Sequence, residues 1–432
     1  MSDVKIALLG AGSFVFGPSF LNDVLVDHRF GSVHLALMDP NGPVVELMAG
    51  LGRRLAADHR VRCTITAHTE RAPALEGADF VVCSAARELH RRFGMDCDIA
   101  ARHDPSHLIS EFGGIAGISY SLRQIALIQE ICADMRRLCP NATLLNTANP
   151  LPRVCQAAHE EGIPTVGFCS AAIYVYDILW RILHGQSIDY PFEPAASRLD
   201  MLMGGPNHFS WIVHLRDRAT GRDLYPDLIA RVRAGATAGH RMTERLLLET
   251  GFLVTPGDGH IKDFLPPTGE VPSRPSPGHG SHEERQRRLD LLRDLAEGKV
   301  PFTPTALGRS WERPADLIVS IVTGRTLAFP ALNLVNAGQM PGLPLNVYVE
   351  TPATADARGA MPQTVELPPQ PLRLSQSAAR VTAAIVRAAR ERNRGLLKEA
   401  VELDPTITDK RAGWAAVGQC IAAHADVLPA YT

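Results

Sequence analysis

The sequence predicts an α/β protein, a doubly wound parallel sheet followed by a mixed α+β part, and three observations predict it. Short apolar runs alternate with helical stretches through the first 150 residues. The first of those runs ends in the turn Gly10-Ala11-Gly12-Ser13. At 432 residues with 45% hydrophobic and 21% charged side chains, the chain is long enough for one large unit or two domains with a shared interface.

The strand candidates in order are Val4–Leu9, Val33–Met38, Arg62–Ala67, Phe80–Ser84 and Thr143–Asn146. Helical patterns lie between them near Pro18–Val26, Pro43–Asp58 and Leu122–Leu138. Strands separated by helices of this length read as βαβ units on a parallel sheet, which binds ligands at the carboxyl ends of its strands. The division expected is residues 1–150 for a first domain and 151–432 for a second. The second reads as helices near Ala171–His184, Arg241–Thr250 and Glu283–Glu297, strands at Ser210–Leu215 and Asn346–Glu350, and one long helix from Ser375 to Leu403. Pro, Gly and Ser dominate Pro266–Gly280, which reads as a surface loop.

Charge excludes some partners. With 44 Lys+Arg against 46 Asp+Glu, the net charge of −2 gives no excess of cations for a nucleic-acid or anionic-membrane surface. The run Ile6–Phe16 is broken by Gly10 and Gly12 and is far short of the ~20 residues that span a bilayer. Only Lys5 precedes it, so it makes a poor signal peptide. Eight scattered cysteines without a CxxC pair fit reduced thiols in the cytoplasm.

Four segments carry chemistry. In the first, Gly10 permits a tight turn, and Gly12 lets backbone N–H groups approach a pyrophosphate. Asp39, closing Leu37-Met38-Asp39, can accept from adenosine-ribose hydroxyls. That is a Rossmann-like dinucleotide site preferring NAD+ to NADP+, although Val15 replaces the third glycine of the usual fingerprint. Ser13 and Phe14 belong to the same turn. In the second, Asn146 and Asn149 of Asn146-Thr147-Ala148-Asn149-Pro150 suit sugar and nicotinamide-ribose hydroxyls, or simply make a turn. The third pairs Cys169 of Gly167-Phe168-Cys169-Ser170 with His208 of Pro206-Asn207-His208-Phe209. A thiolate and an imidazole can hold a divalent metal with positions open to substrate oxygens, and equally a core thiol and a satisfied core histidine. In the fourth, Asp258, His260, Lys262 and Asp263 crowd into Gly257–Phe264, as a site or as a solvated charged turn.

In their joint order these segments resemble the family 4 glycoside hydrolases, NAD- and metal-dependent glycosidases that include α-galactosidases, α-glucosidases, 6-phosphoglycosidases and α-glucuronidases. The resemblance runs through Gly77–Val82, Asn333–Pro344 and Leu403–Thr406 as well. It implies a lactate/malate dehydrogenase-like fold, NAD+ held by Gly10, Gly12, Ser13, Phe14, Asp39 and Asn146, and a divalent ion, Mn2+ first, on Cys169 and His208. It also implies a route outside the two-carboxylate scheme: oxidation of the sugar at C3, loss of the C2 proton, elimination at C1, addition of water and return of the hydride. A homodimer or homotetramer is the expected assembly.

Two departures stand out. Many members place a Tyr, the C2 base, where Phe264 stands, and several follow the metal cysteine with His, Asp or Asn where Ser170 stands. His260, Asp258 and Asp263 are therefore the expected replacements, with a metal-held water as the alternative base. Asn149, Asn207, Arg92 and Lys262 are the expected sugar contacts. The cluster His90-Arg91-Arg92, with Lys262, points to an α-linked hexoside that carries an anionic group such as a uronide, unless it is a solvated helix face. A lactate/malate-type dehydrogenase and a non-catalytic NAD-binding regulator remain the competing readings. The first needs no Cys169–His208 pair, and the second needs neither metal nor Asn149 and His260.

Overall fold

The structure is a computed structural model describing residues 4–28, 30, 32–104, 110–188, 192–269, 282–303, 307 and 312–432. Nine strands form one sheet: β1 (Val4–Leu9), β2 (Val33–Met38), β3 (Cys63–His68), β4 (Phe80–Cys83), β5 (Thr143–Asn146), β6 (Thr165–Gly167), β10 (Leu327–Val335), β11 (Tyr348–Asp356) and β12 (Gly359–Pro362). Their order is β12-β11-β10-β6-β5-β4-β1-β2-β3. Strands β1 to β6 pair in parallel, in the doubly wound order 3-2-1-4-5-6. Strand β10 then pairs antiparallel with β6, and β11 and β12 continue antiparallel. The sheet thus runs past residue 150 and takes three strands from the last third of the chain.

Alternation of side chains divides each strand between two cores. Ala7 and Leu9 of β1 face the helices Gly114–Leu138, Pro369–Glu391 and Lys410–Ala423. Ile6 and Leu8 face Phe16–Asn22, Gly42–Asp58, His282–Glu297 and Pro314–Thr323. With both faces covered, the sheet is apolar on both sides, which is why its strands read as continuous apolar runs. A second sheet, β7 (Leu199–Gly204), β8 (Ser210–Asp217) and β9 (Val254–Thr255), is antiparallel.

Several predicted elements differ in detail. The first helix starts at Phe16 and continues as a wider turn over Asp23–Asp27. The predicted Ser375–Leu403 helix is two helices, Pro369–Glu391 and Arg394–Leu403. Arg392 adopts φ +51° between them, and Asn393 accepts from the Leu396 N–H to start the second. Of the Pro266–Gly280 loop, only the part up to Gly269 lies among the described residues. No helix among the described residues is long and apolar enough to cross a membrane.

Candidate active site

The glycine turn, Asp39, the Asn146–Pro150 segment and Cys169 all follow the carboxyl ends of parallel strands. After β1 the chain turns at Gly10, whose φ of +80° and whose missing Cβ are both required: a Cβ would lie 2.8 Å from Ala85 Cα. The Gly10 and Ala11 N–H groups donate to Met38 O, each at 3.0 Å, which ties this turn to the end of β2. Gly12 N–H donates to Asp39 Oδ2 at 3.0 Å, and a Cβ on Gly12 would lie 2.6 Å from that oxygen. Asn41 N–H donates to the other oxygen, so the carboxylate is fixed at the strand end. Ser13 Oγ accepts from Phe16 N–H and opens the helix.

Gly10, Gly12, Ser13, Phe14 and Asp39 line one cleft of about 880 Å³ at the crossover between β1 and β4, where ligands of such sheets bind. These residues fit a dinucleotide. Asn146 does not join them. It is fully buried, and its amide donates to Ala148 O at 2.9 Å and accepts from Ala148 N–H at 3.3 Å, so it stitches the turn after β5.

Two residues after β6, Cys169 Sγ lies 3.1 Å from His208 Nε2. Two ligands of one ion at right angles, at ~2.3 Å for sulfur and ~2.1 Å for nitrogen, stand about 3.1 Å apart. His208 has φ +63°, an uncommon conformation for a non-glycine residue, costing roughly 1–2 kcal/mol. The neighbouring Asn207 holds it there: its amide donates to Glu350 Oε1 at 3.0 Å. Glu350 is itself fully buried and also accepts from Asn333 (3.1 Å) and Ser210 (2.8 Å). Burial pushes the Glu350 carboxyl up, and these three donors pull it back. Burial first, and then His260, hold His208 well below the usual histidine range, so its imidazole is neutral. Burial raises the Cys169 thiol, with Glu350 adding to it, in the absence of a cation. His208 Nδ1 and Asn207 Oδ1 are buried without a hydrogen-bond partner. The pair fits a divalent ion. Among the described residues no group of three or more His, Cys, Asp or Glu comes together to hold an ion.

The fourth segment folds against this pair. His260, on the short helix Asp258–Ile261, brings its ring to 4.3 Å from that of His208. Burial lowers its pKa, opposed by Asp263, so the imidazole is neutral at physiological pH. Asp263 is buried, accepts from Phe112 N–H at 2.9 Å and pairs with Lys262 Nζ at 3.3 Å. Phe264 stacks on Phe209 at 5.0 Å and belongs to the apolar core, which explains why no proton acceptor stands there. Asp258 points elsewhere: it caps the helix Arg241–Thr250, accepting from Met242 N–H and from the Thr243 N–H and hydroxyl. Its oxygens are thereby spent, so the catalytic role expected of Asp258 is not supported by its geometry.

Arg92 is likewise committed. It is 4% exposed and gives its guanidinium to Asp426 (2.9 and 2.6 Å) and to Glu88 (2.6 Å). Arg91 pairs with the same Glu88 at the surface.

Two acids of the site escaped the sequence reading. Glu111 hydrogen-bonds Asn149, and burial together with Asp263 raises it to about 7. The signal was present in Glu111-Phe112-Gly113-Gly114, an acid against the glycine pair that opens the helix Gly114–Leu138. Gly113 lets that turn touch the fourth segment, since a Cβ there would lie 2.2 Å from Asp263 O. Glu350 was legible as a single acid in the otherwise apolar Val347–Thr351 stretch.

Comparison with known proteins agrees with this fold. The sequence pattern described as "Family 4 glycosyl hydrolase" matches residues 5–184, and that of the "Family 4 glycosyl hydrolase C-terminal domain" matches residues 203–407. An α-galactosidase of Rhizobium meliloti is 27% identical over 100% of this chain and 90% of its own. An α-glucosidase of Erwinia rhapontici is 26% identical over 84% of this chain and 85% of its own. Among solved structures, a 6-phospho-α-glucosidase from gut microorganisms in complex with NAD and Mn2+ superposes with a TM-score of 0.81 at 18% identity, over 100% of both chains. A 6-phospho-β-glucosidase of Thermotoga maritima with NAD and glucose-6-phosphate gives 0.77 at 16% identity, over 99% of this chain and 100% of that one. The two patterns between them span most of the chain, which belongs to the family 4 glycosyl hydrolases.

Proposed function

We propose that the protein hydrolyses an α-linked hexoside with NAD+ and a divalent ion, Mn2+ first, by oxidation at C3, deprotonation at C2, elimination at C1, addition of water with reprotonation at C2, and return of the hydride to C3. The observation that carries this is the Cys169–His208 pair at 3.1 Å with the His260 ring tilted against that of His208 at 4.3 Å. When bound, NAD+ supplies a hydride acceptor for C3 and the ion supplies positive charge for the sugar oxygens, which makes the C2 proton acidic enough for a side chain.

The chain up to about residue 150 holds the dinucleotide through Gly10, Gly12, Ser13, Phe14 and Asp39. The remainder holds the ion through Cys169 and His208. His260, neutral and half-buried, takes the C2 proton. Glu111, with a pKa near neutrality and oriented by Asn149, gives its proton to the leaving oxygen. Asp263 and Lys262 fix each other and the Phe112 turn that carries Glu111. Asp258 is a positioning residue that docks the His260 helix on the helix Arg241–Thr250.

The anionic sugar expected from sequence loses two of its expected contacts: Arg92 pairs with Asp426 and Glu88, and Lys262 pairs with Asp263. The names of the relatives divide between neutral sugars, α-galactosidase and α-glucosidase, and anionic ones, α-galacturonidase and phospho-α-glucosidase, and a neutral hexoside is the reading put to the test. Eight free cysteines support a reducing, cytoplasmic setting.

The test is turnover of aryl α-galactoside and α-glucoside by protein stripped of metal and nucleotide. Restoration only by Mn2+ and a catalytic amount of NAD+ together supports the proposal. NADH accumulating in step with substrate consumed indicates a dehydrogenase instead, and NAD+ binding without turnover indicates a regulator.

A further inference from the structure

The cleft that holds Gly10, Gly12 and Asp39 is not closed by the amino-terminal part alone. Glu284, Arg285 and Arg288, from the helix His282–Glu297, also line it. That helix is anchored by its other end. Leu292 and Leu295 pack in one core with Val45, Met48, Leu51 and Leu55 of the helix Gly42–Asp58, and Arg54 donates to Leu295 O at 3.1 Å. The helix Gly42–Asp58 that anchors it begins just after Asp39, so Arg285 and Arg288 are delivered to the same cleft as Asp39 and the glycine turn.

Residues three apart share one helical face. Arg285 and Arg288 are half-buried, whereas Glu283, Glu284, Gln286 and Arg287 are exposed. The two guanidiniums therefore sit on the face turned to the cleft. Burial depresses Arg288, one of whose N–H groups donates to Leu307 O at 3.5 Å. The turn from Gly10 to Phe16 carries no Lys or Arg, so it brings backbone N–H groups and the Ser13 hydroxyl, but no cation, to a phosphate. Asp39, held at the strand end by Gly12 and Asn41, repels a phosphate on the ribose but leaves the diphosphate open.

We propose that Arg285 and Arg288 contact the diphosphate of the dinucleotide, so that a helix of the carboxyl-terminal half supplies the cations the glycine turn lacks. The inference rests on the dinucleotide reading of the cleft. A diphosphate presents two adjacent anionic groups, which suits two guanidiniums on one face, each able to donate in parallel to phosphate oxygens.

Calorimetric binding of NAD+, ADP, adenosine and NADP+ to the full-length protein tests it, without reference to turnover. Arg285→Gln and Arg288→Gln should each weaken NAD+ and ADP by roughly 10-fold and leave adenosine unchanged, with the loss shrinking in high salt. Arg288→Lys, which keeps a point charge and loses the fork, should fall between. Thermal melting in the absence of nucleotide establishes that each variant is folded, and Arg285→Lys and Arg288→Lys stand in for a glutamine variant that is not. Unchanged NAD+ and ADP affinity overturns the proposal. So does an equal loss for adenosine, which would make the helix a wall of the adenine pocket, and so does a loss confined to NADP+, which would place the arginines at a 2′-phosphate. If the wild-type protein binds none of the four, the dinucleotide reading itself fails.

Discussion

Replacing Glu111 by Gln separates the acid role from mere hydrogen bonding, because Gln keeps the contact with Asn149 and cannot ionise. Burial and Asp263 move this carboxyl from 4.5 to about 7. At ~1.36 kcal/mol per pH unit, that caps the cost of ionising it in the folded protein near ~3.4 kcal/mol, and solvent reaching a half-buried side chain reduces it to roughly 1–2 kcal/mol. The folded state holds the proton more tightly than the unfolded chain, so between about pH 4.5 and 7 it binds more protons, and stability falls as pH rises through that window. Urea unfolding at pH 5 and pH 8 should show that fall in the wild type and a fall smaller by roughly 1–2 kcal/mol in Glu111→Gln. Turnover should behave in parallel. The wild type should lose kcat above an apparent pKa near 7, as its acid deprotonates, and Glu111→Gln should lose that limb. The variant should also be slowed far more with alkyl than with nitrophenyl leaving groups, since the latter need little protonation. An unchanged alkaline limb, together with an unchanged pH dependence of stability, would refute the assignment.

Three further outcomes follow from the site. NAD+ should bind more tightly than NADP+, and Asp39→Asn should narrow the difference, because the carboxylate held by Gly12 and Asn41 repels a 2′-phosphate; equal affinities in the wild type would remove Asp39 from the ribose. Cys169→Ser and His208→Ala should each abolish Mn2+-dependent turnover and leave NAD+ affinity within about two-fold, and wild-type activity of either in chelator-treated buffer would misplace the metal. His260→Ala should lower kcat by roughly 10² to 10⁴ and enlarge the isotope effect at C2, whereas a rise in KM alone would make His260 a sugar ligand.

How far the sequence reveals these groups depends on how locally each is determined. The glycine turn, the strand ends and Asp39 are legible because one βαβ unit places them, and β1 and β2 occupy the predicted residues. Cys169 and His208 are 39 positions apart, and they meet where the turn after β7 is tied to β11 through the Gly205–Glu350 bridge and the Asn207–Glu350 hydrogen bond. Residue type suggested the pair, and tertiary packing decides it. The charged segment 257–264 shows the limit most clearly. Sequence density singled it out, yet it resolves into a histidine against the metal pair, a capping Asp258, an ion-paired Lys262 and a core Phe264. Nothing local distinguishes those fates, because all but the Lys262–Asp263 pair are set by partners more than ten residues away. Arg92 was misread for the same reason, as its partner Asp426 lies at the other end of the chain. Glu111 beside its glycine pair and Glu350 in its apolar stretch are visible in the sequence, but only their burial marks them as site acids.

The central claim is that the glycosidic bond is broken by way of C3 oxidation and C2 deprotonation, and isotope labelling at those carbons tests it most directly. Turnover of an aryl α-hexoside deuterated at C2 or at C3 should be slower than that of the unlabelled sugar, and sugar released in D2O should carry deuterium at C2. Equal rates for all three substrates, with no deuterium at C2, would contradict the account and return the reaction to direct displacement at C1.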